Sequence, residues 1–259
     1  MNYLYLCLNN EDFWEKAGKK AQPFITLASA NKQKIPVPPI DVQKQIVEEI
    51  GKVDTSVSDA MLRIDKCESD IESLLSSLNF ADSTLNAIAP FSTKSIKYSD
   101  IESETYITTD NMLQNKLGVL PFEGVANISF ITEYKPEDIL ISNIRPYLKK
   151  IWFADKDGGC SKDVLVLRSA DANKYLPKYI FYMLHRDSFF DYVMEGKKGV
   201  KMPRGNKEDI MKYKIPMPNI DEQKRIVAKI EALELEITKA RTLIEGAASE
   251  KQAILDKYL

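Results

Sequence analysis

The chain of 259 residues has a single histidine, His185, and only three cysteines, Cys7, Cys67 and Cys160. One histidine leaves most histidine-based catalysis and metal binding without the residues that they require. Three widely spaced cysteines suggest neither a disulfide framework nor a zinc cluster, so a reduced, cytoplasmic compartment is expected. No apolar run approaches the roughly 18 residues that cross a bilayer, and the first residues lack the basic region and cleavage site of a signal peptide. We therefore expect no membrane segment.

Sequence motifs of catalysis are missing as well. The chain has no Asn-Pro-Pro-Tyr or Asp-Pro-Pro-Tyr motif for adenine methylation, no glycine-rich cofactor loop after a strand and no phosphate-binding loop of a motor. No cluster of carboxylates and lysines is convincing as a metal nuclease. We therefore expect a binding protein with no catalytic residues, no cofactor and no metal.

Charge is distributed unevenly along the chain, although the net charge is only −2. Residues 41–89 carry 4 basic and 10 acidic side chains, whereas residues 145–214 carry 16 basic and 9 acidic ones. A basic region beside a solvated acidic scaffold is typical of a protein with a binding patch. The net charge therefore does not exclude a nucleic-acid partner.

An internal repeat relates two segments that are 180 residues apart. The segment IPVPPIDVQKQIVEEI at Ile35 to Ile50 returns as IPMPNIDEQKRIVAKI at Ile215 to Ile230. The residues before each motif are also related, since YLYLCLNNEDF at Tyr3 to Phe13 parallels YIFYMLHRDSF at Tyr179 to Phe189. The predicted order is therefore the end of one domain, a helix, a whole second domain and another helix.

Both repeated motifs are followed by the alternating four- and three-residue spacing of a coiled-coil seam. The first seam comprises Ile46, Ile50, Val53, Val57, Ala60, Ile64, Cys67, Ile71, Leu74 and Leu78. The second comprises Ile226, Ile230, Leu233, Ile237, Ala240, Ile244, Ala247, Lys251, Ile254 and Tyr258. Only Lys251 is neither apolar nor small. Each helix is expected to run for about 40 residues, or roughly 60 Å.

Prolines are expected to set the start of both helices. The prolines before Ile40 and Ile220 keep the chain extended and prevent the helices from starting earlier. Asp41 and Asp221 are then expected to cap the helix starts and to interact favourably with the helix dipole. We interpret both motifs as structural signals without a ligand.

The sequence between the helices predicts an α+β fold. Short β-prone runs lie within residues 90–170, and residues 175–194 predict one amphipathic helix, whose aromatic residues are expected in the core. His185 on this helix is expected to be either a surface residue or a satisfied core residue. A basic, glycine-containing loop follows. The predicted domains are the end of a first globular domain at 1–34, a long helix at 35–89, a whole globular domain at 90–214 and a second long helix at 215–259.

Several of these segments occur in one characteristic order. They are the two helix starts, ILISNIRPYLKKIWFA at Ile139 to Ala154, GGCSKDVLVLR at Gly158 to Arg168, and GVKMPRGNKEDIMKYKIPMP at Gly199 to Pro218. Together they closely resemble the specificity subunit of type I restriction–modification systems. The resemblance implies target-recognition domains separated by two long antiparallel helices. It implies that each domain binds one half of a split site in double-stranded DNA, and that the helices dock methyltransferase subunits and, through them, the restriction and translocation subunit.

The chain departs from that family in one respect, because it contains one recognition domain and a fraction of another instead of about two. We therefore expect an N-terminally truncated or half-subunit form. A truncated gene product, a silent recombination cassette, an expressed fragment and a half-subunit that pairs with a second copy all stay open.

The candidate DNA-contacting residues form two basic clusters, which supply cations for phosphates and polar side chains for base edges. The first cluster, in SNIRPYLKK, contains Arg145, Lys149 and Lys150. The second, in GKKGVKMPRGN, contains Lys197, Lys198, Lys201, Arg204 and Asn206. We favour the second because its glycines let the backbone approach DNA closely. The alternative for either cluster is a solvated basic loop that does not contact DNA.

Two alternatives stay open for Arg145, which either ends a strand facing a DNA groove or pairs with a buried carboxylate such as Asp163. Four polar residues at turns could reach DNA bases, but such residues usually satisfy backbone groups, and we favour that role for them. These four are Asn111, Ser142, Asn143 and Ser161.

A different class of function is a coiled-coil protein that assembles with other proteins and does not bind DNA by itself. The acidic helix surfaces and the incomplete first domain favour it. If these 259 residues function by themselves, we also expect a dimer, formed through an exposed seam of one helix or by docking of the partial domain onto a second copy.

Overall fold

Long helices occupy the two repeated segments, and short strands dominate the residues between them. The computed structural model describes residues 3–10, 35–124, 126–195 and 201–259. In chain order the helices and strands are α1 (Tyr3–Asn10), α2 (Ile40–Ser76), β1 (Asp82–Thr84), α3 (Leu85–Ile88), β2 (Ser95–Lys97), β3 (Tyr106–Ile107), β4 (Phe130–Tyr134), β5 (Ile139–Ser142), β6 (Ile151–Phe153), β7 (Gly158–Cys160), β8 (Val164–Leu167), α4 (Pro177–Leu184), α5 (Asp187–Met194), α6 (Lys207–Lys212), β9 (Lys214–Pro216) and α7 (Ile220–Tyr258). The predicted α+β class is confirmed.

The chain divides into two units. The first unit combines Met1–Asp70 with Leu233–Leu259, and the second unit is Ile71–Ala232. Both α2 and α7 contribute residues to each unit.

In the first unit, α2 and α7 pack as an antiparallel pair. Ion pairs join Glu49 to Lys257 at 3.1 Å and Glu68 to Arg241 at 3.4 Å, so residue numbers rise along α2 as they fall along α7. Every predicted seam residue of the two helices is buried or half-buried. The predicted pair of long antiparallel helices is therefore confirmed, and their seams are covered within the chain.

The exception in the seam, Lys251, has a partner on the opposite helix. Its ammonium group pairs with the carboxylate of Asp54. The two side chains are 34% and 33% exposed, so the charged atoms reach water at the edge of the seam. This geometry allows a lysine to occupy a position that is apolar or small elsewhere in both helices.

The two repeats make matching contacts at their helix starts. The hydroxyl of Tyr3 donates a hydrogen bond to the carbonyl of Pro36 at 3.0 Å, and the hydroxyl of Tyr179 donates one to the carbonyl of Pro216 at 2.6 Å. Since both tyrosines also belong to hydrophobic clusters with the following long helix, the sequence repeat is also a repeat of packing.

The repeats differ at one glutamine. Gln43 and Gln223 each donate to the proline carbonyl five residues earlier, at 2.8 Å. Gln223 also accepts from the amide of Leu176 and donates to the carbonyl of Lys174, both at 2.8 Å, and is fully buried. Gln43 is only half-buried.

The second unit contains three small sheets. Strand β1 pairs antiparallel with β9, and β6, β5 and β8 form an antiparallel sheet in that order. The third sheet has the order β2, β4, β7, β3, with only β3 and β7 parallel among its pairs. The β1–β9 pair therefore joins the segment after α2 to the segment before α7.

The β6–β5–β8 sheet is buried on both faces. Ile139, Ile141 and Leu165 belong to the hydrophobic cluster that contains α4 and α5. Leu140 and Val166 belong to a second cluster, which they share with residues of the other sheet. Burial on both faces explains why these strands read as continuous apolar runs instead of alternating ones.

The predicted single helix over residues 175–194 is wrong, because the segment forms two helices, α4 and α5. Arg186 between them is extended, with φ −70° and ψ 148°. Its guanidinium reaches the carboxylate of Glu72 at 3.2 Å and the hydroxyl of Ser76 at 2.8 Å. These contacts with the end of α2 favour a break that the hydrophobic periodicity does not predict. The aromatic residues of both helices are buried or half-buried, as predicted.

The helix starts at Ile40 and Ile220 are confirmed. Asp41 and Asp221 lie within the first turns, where a negative charge favours the helix dipole. The predicted cap of α7 by Asp221 is wrong, because the capping side chain is that of Asn219, whose amide oxygen accepts a hydrogen bond from the backbone amide of Glu222 at 3.0 Å.

No helix in the described ranges is both long and apolar enough to cross a bilayer. The same ranges contain no group of three or more His, Cys, Asp and Glu residues that could hold a metal ion.

Candidate nucleic-acid interface

Three loops of the second unit lie side by side where strand β5 ends. We call residues 113–118 the hairpin loop, residues 143–150 the central loop and residues 201–206 the basic loop. The central loop connects β5 to β6 and makes backbone hydrogen bonds with both of the others. The candidate residues of the two predicted clusters that are described all lie in the central and basic loops.

The basic loop pairs with the central loop in strand-like fashion. Ile144 and Arg204 form an antiparallel bridge, flanked by a hydrogen bond from the amide of Arg145 to the carbonyl of Pro203 at 2.8 Å. At Gly205 a Cβ atom would lie only 2.7 Å from the side-chain oxygen of Asn143 and 2.8 Å from Ile210. Glycine therefore permits the close approach that brings the two predicted clusters together.

The hairpin loop is joined to the other side of the central loop. The amide of Asn115 donates to the carbonyl of Leu148, and the amide of Lys116 donates to the carbonyl of Lys149, both at 2.9 Å. The carboxylate of Asp187 forms ion pairs with Lys116 and, at 2.8 Å, with Lys149. Hydrogen bonds from these two lysines hold the pKa of Asp187 below its ordinary value.

Arg145 is exposed, and its side chain has no hydrogen-bond or ion-pair partner among the described residues. Asp163, one alternative partner from the sequence, instead pairs with Arg204 at 3.3 Å. Arg145 therefore does not pair with Asp163, and its role as a DNA contact stays a prediction. Arg204 remains 63% exposed in its ion pair and can exchange that partner for a phosphate.

The remaining lysines of the first cluster also contact protein groups. Lys149 forms an ion pair with Asp187, and the ammonium group of Lys150 donates a hydrogen bond to the carbonyl of Thr109. Burial lowers the pKa of Lys150. These contacts indicate that both residues shape the central loop, while their roles as DNA contacts stay predictions.

In the basic loop, Lys201 is exposed. Asn206 is the N-cap of α6, because its side-chain oxygen accepts from the amide of Glu208 at 3.0 Å. Lys197 and Lys198 lie outside the described residues. The basic loop thus presents Lys201 and Arg204, and Asn206 has a structural role, while the DNA contacts of all three residues stay predictions.

Two of the polar turn residues satisfy backbone groups, as predicted. Asn111 accepts from the amide of Thr108 at 2.7 Å and donates to the carbonyls of Tyr106 and Leu120. Ser142 donates to the carbonyl of Ile144 at 3.0 Å.

Sequence reasoning missed three residues of this surface. Tyr147 and Leu117 are exposed on the central and hairpin loops, and Asp187 joins those loops. The sequence NKLG at 115–118 signals a turn, but no local signal places that turn beside residues 145–149.

The family profile described as type I restriction modification DNA specificity domain matches residues 92–245, more than half of the chain. The chain belongs to the type I restriction–modification DNA specificity family. The matched residues include the central and basic loops and the first turns of α7, so the family assignment covers the surface described above.

Members of this specificity family resemble the chain in sequence and in fold. The type I restriction enzyme EcoDI specificity subunit of Escherichia coli is 31% identical over 101 residues, which are 39% of this chain and 22% of that protein. The HsdS subunit of Thermoanaerobacter tengcongensis has a TM-score of 0.55 at 18% identity, over 99% of this chain and 69% of the other. The S subunit of M. genitalium has a TM-score of 0.59 at 14% identity, over 99% and 72%. These two solved structures confirm the fold.

Proposed function

We propose that the chain is a non-catalytic DNA-recognition module that binds one half of a split double-stranded DNA site. The observation that carries this proposal is the bridge between Ile144 and Arg204, which joins two basic clusters that are about 60 residues apart in sequence. Exposed cations on adjacent, hydrogen-bonded loops can neutralise neighbouring phosphates while polar side chains reach base edges.

The domain boundaries follow from the same proposal. We assign DNA recognition to residues 90–214, and the spacing and docking of methyltransferase subunits to the helices in 35–89 and 215–259. Residues 1–34 are assigned to the end of a further recognition domain. Methylation and cleavage then belong to other subunits of a cytoplasmic complex, and this chain supplies neither catalytic residues nor a cofactor.

The proposal is tested by DNA binding of the chain reconstituted with the methyltransferase subunits of its own system. We expect Lys201→Glu combined with Arg204→Gln to weaken DNA binding at least tenfold, because two exposed cations are lost. Glutamine at position 204 avoids repulsion with Asp163. The slope of log affinity against log salt should become shallower by roughly 0.9 for each phosphate contact removed.

Lys156→Glu is the matched control. Lys156 is exposed in the turn at the opposite end of strand β6 from Lys150, so its charge reversal should leave affinity within about twofold. If no reconstituted complex binds specific DNA, and the variants in the basic loop change nothing, the proposal is wrong.

A second candidate is a coiled-coil assembly module that does not bind DNA by itself. Exposed apolar residues on the helix pair favour it, since Met61 and Leu62 on α2 are 52% and 67% exposed, and Leu235 on α7 is 56% exposed. This candidate predicts a stable protein complex without DNA affinity at low salt. A mass measurement in solution and a low-salt DNA shift on the same sample separate the two functions.

We also propose that the chain of 259 residues forms a dimer through its partial domain. The seams of α2 and α7 are covered by each other in the first unit, which leaves the partial domain as the predicted route. A two-fold dimer would bind a split palindromic site.

A further inference from the structure

Backbone strain is concentrated in the hairpin and central loops. Five non-glycine residues of the described sequence have positive φ, and four of them lie here: Asn115 at 54°, Lys116 at 66°, Arg145 at 51° and Lys149 at 50°. Side chains with a Cβ atom rarely adopt this left-handed conformation, which persists only where surrounding contacts hold it. Such strain in two adjoining loops is typical of a functional site.

Several contacts hold the two loops in this conformation. The amides of Asn115 and Lys116 donate to carbonyls of the central loop. The two carboxylate oxygens of Asp187 form ion pairs with one lysine of each loop, Lys116 and Lys149. On its other side, the central loop is fixed by the hydrogen bond from the amide of Arg145 to the basic loop. The central loop is therefore held on both flanks before any ligand binds.

The held loops display two large side chains to solvent. Tyr147 is 46% exposed and directly follows the buried Pro146. It lies between the two left-handed residues of the central loop. Leu117 is 65% exposed and directly follows the two left-handed residues of the hairpin loop. Single exposed apolar residues are common, but these two lie on rigid loops beside the exposed Arg145.

We propose that Tyr147 and Leu117 are specificity-determining residues that contact DNA bases, and that Asp187 is a positioning residue for both loops. This inference rests on the proposed DNA-recognition function. A tyrosine ring can stack on an accessible base, and a leucine can contact a thymine methyl group or enter an opened base step. The cations of the central and basic loops then bind phosphates, so affinity and specificity are carried by different side chains of one surface.

The test uses the full chain reconstituted with its methyltransferase subunits. A pool of duplexes with a randomised segment is selected with the wild-type complex to obtain a preferred duplex, and binding to this duplex is compared with binding to the unselected pool. We expect Tyr147→Ala and Leu117→Ala each to reduce the affinity ratio about tenfold. The salt dependence should stay unchanged, because neither variant removes a phosphate contact.

Asp187→Asn should reduce the same ratio, because the amide cannot hold two lysines electrostatically. Asp187→Glu keeps the charge and should therefore retain part of the affinity ratio that Asp187→Asn loses. If only the shape of the aspartate side chain mattered, the glutamate variant would not retain it. Phe130→Ala is the matched control, since Phe130 is 57% exposed on strand β4, which belongs to a different sheet from the strands that flank the central loop, and its loss should leave the ratio unchanged.

Specific binding that survives in Tyr147→Ala and Leu117→Ala with an unchanged ratio would overturn this inference and leave the proposed function intact. Failure of the wild-type complex to select any duplex would overturn both. A loss of methyltransferase binding in these variants, with correct folding confirmed by circular dichroism, would assign the two residues to a protein interface and also refute the inference.

Discussion

His185 has its protonation behaviour set mainly by burial. Its ring packs against Phe181 with centroids 5.1 Å apart, in the turn between α4 and α5. Burial lowers the pKa of His185 to about 4, and the nearby positive charge of Lys116 acts in the same direction. The structure therefore places this histidine as a half-buried packing residue, between the surface and core roles that the sequence left open.

The lowered pKa predicts a pH dependence of stability. An unfolded histidine has a pKa near 6.5, so between about pH 6.5 and pH 4 the unfolded chain binds more protons than the folded one. The free energy of unfolding should therefore fall as the pH is lowered through this window, by up to about 2 kcal/mol at pH 5. The change is measured by urea unfolding at pH 7 and pH 5 of a Trp14→Phe variant, whose tryptophan fluorescence then reports Trp152 of the second unit.

The control for this prediction is His185→Gln, which cannot titrate in the window. The variant should lose most of the difference in stability between pH 7 and pH 5. Equal pH dependence in the wild type and the variant would show that other groups are responsible.

At the same scale, sequence reasoning found cationic residues but not their partners. It selected Arg145 and Arg204, which are both exposed, but it could not show that Asn206 caps a helix or that Lys149 pairs with Asp187. Residue type and local turn signals identify candidates, whereas a side chain's partners depend on contacts between distant segments.

The long helices are the elements best predicted from sequence, because their signals are local. A proline boundary and a heptad spacing determine where each helix starts and which residues it buries. Strands β1 and β9 were missed, since each has three residues and is stabilised by pairing with a partner about 130 positions away. The bridge between Ile144 and Arg204 has the same non-local origin.

The helix pair predicts a specific stability pattern around Lys251 and Asp54. Asp54→Ala should destabilise the pair by about 0.5–1 kcal/mol, because it leaves a lysine without its partner on the seam. Combining it with Lys251→Ile, which introduces the residue that the first repeat has at Ile71, should give a protein at least as stable as the wild type. Urea unfolding followed by helical circular dichroism measures all variants.

Lys52→Ala is a useful comparison, because Lys52 pairs with Glu48 on the solvent face of α2 and should have little effect. A neutral Asp54→Ala, together with a destabilising Lys251→Ile, would contradict this account of the seam.

At the scale of the whole molecule, the first repeat is more open than the second. Val37 and Ile40 are 80% and 61% exposed, whereas their counterparts Met217 and Ile220 are half-buried. Tyr5 on α1 is also 55% exposed. We propose that these exposed apolar residues belong to the surface on which the dimer associates.

Sedimentation at micromolar concentration tests this dimer. We expect the wild type to sediment as a dimer and Val37→Asp to shift it towards the monomer, because a charge would have to be buried in the interface. Met61→Asp, which alters an exposed apolar residue of α2, should leave the dimer intact. A monomeric wild type at this concentration would refute the dimer.

The two glutamines that open the long helices differ in how many backbone groups depend on them. Gln223 satisfies three backbone groups in a buried position, so nearly every substitution there would leave unpaired polar groups. Among the described residues, Gln43 donates only to the carbonyl of Pro38 and is half-buried, so water can replace that hydrogen bond after a substitution. The same substitution should therefore lower the free energy of unfolding more at position 223 than at position 43.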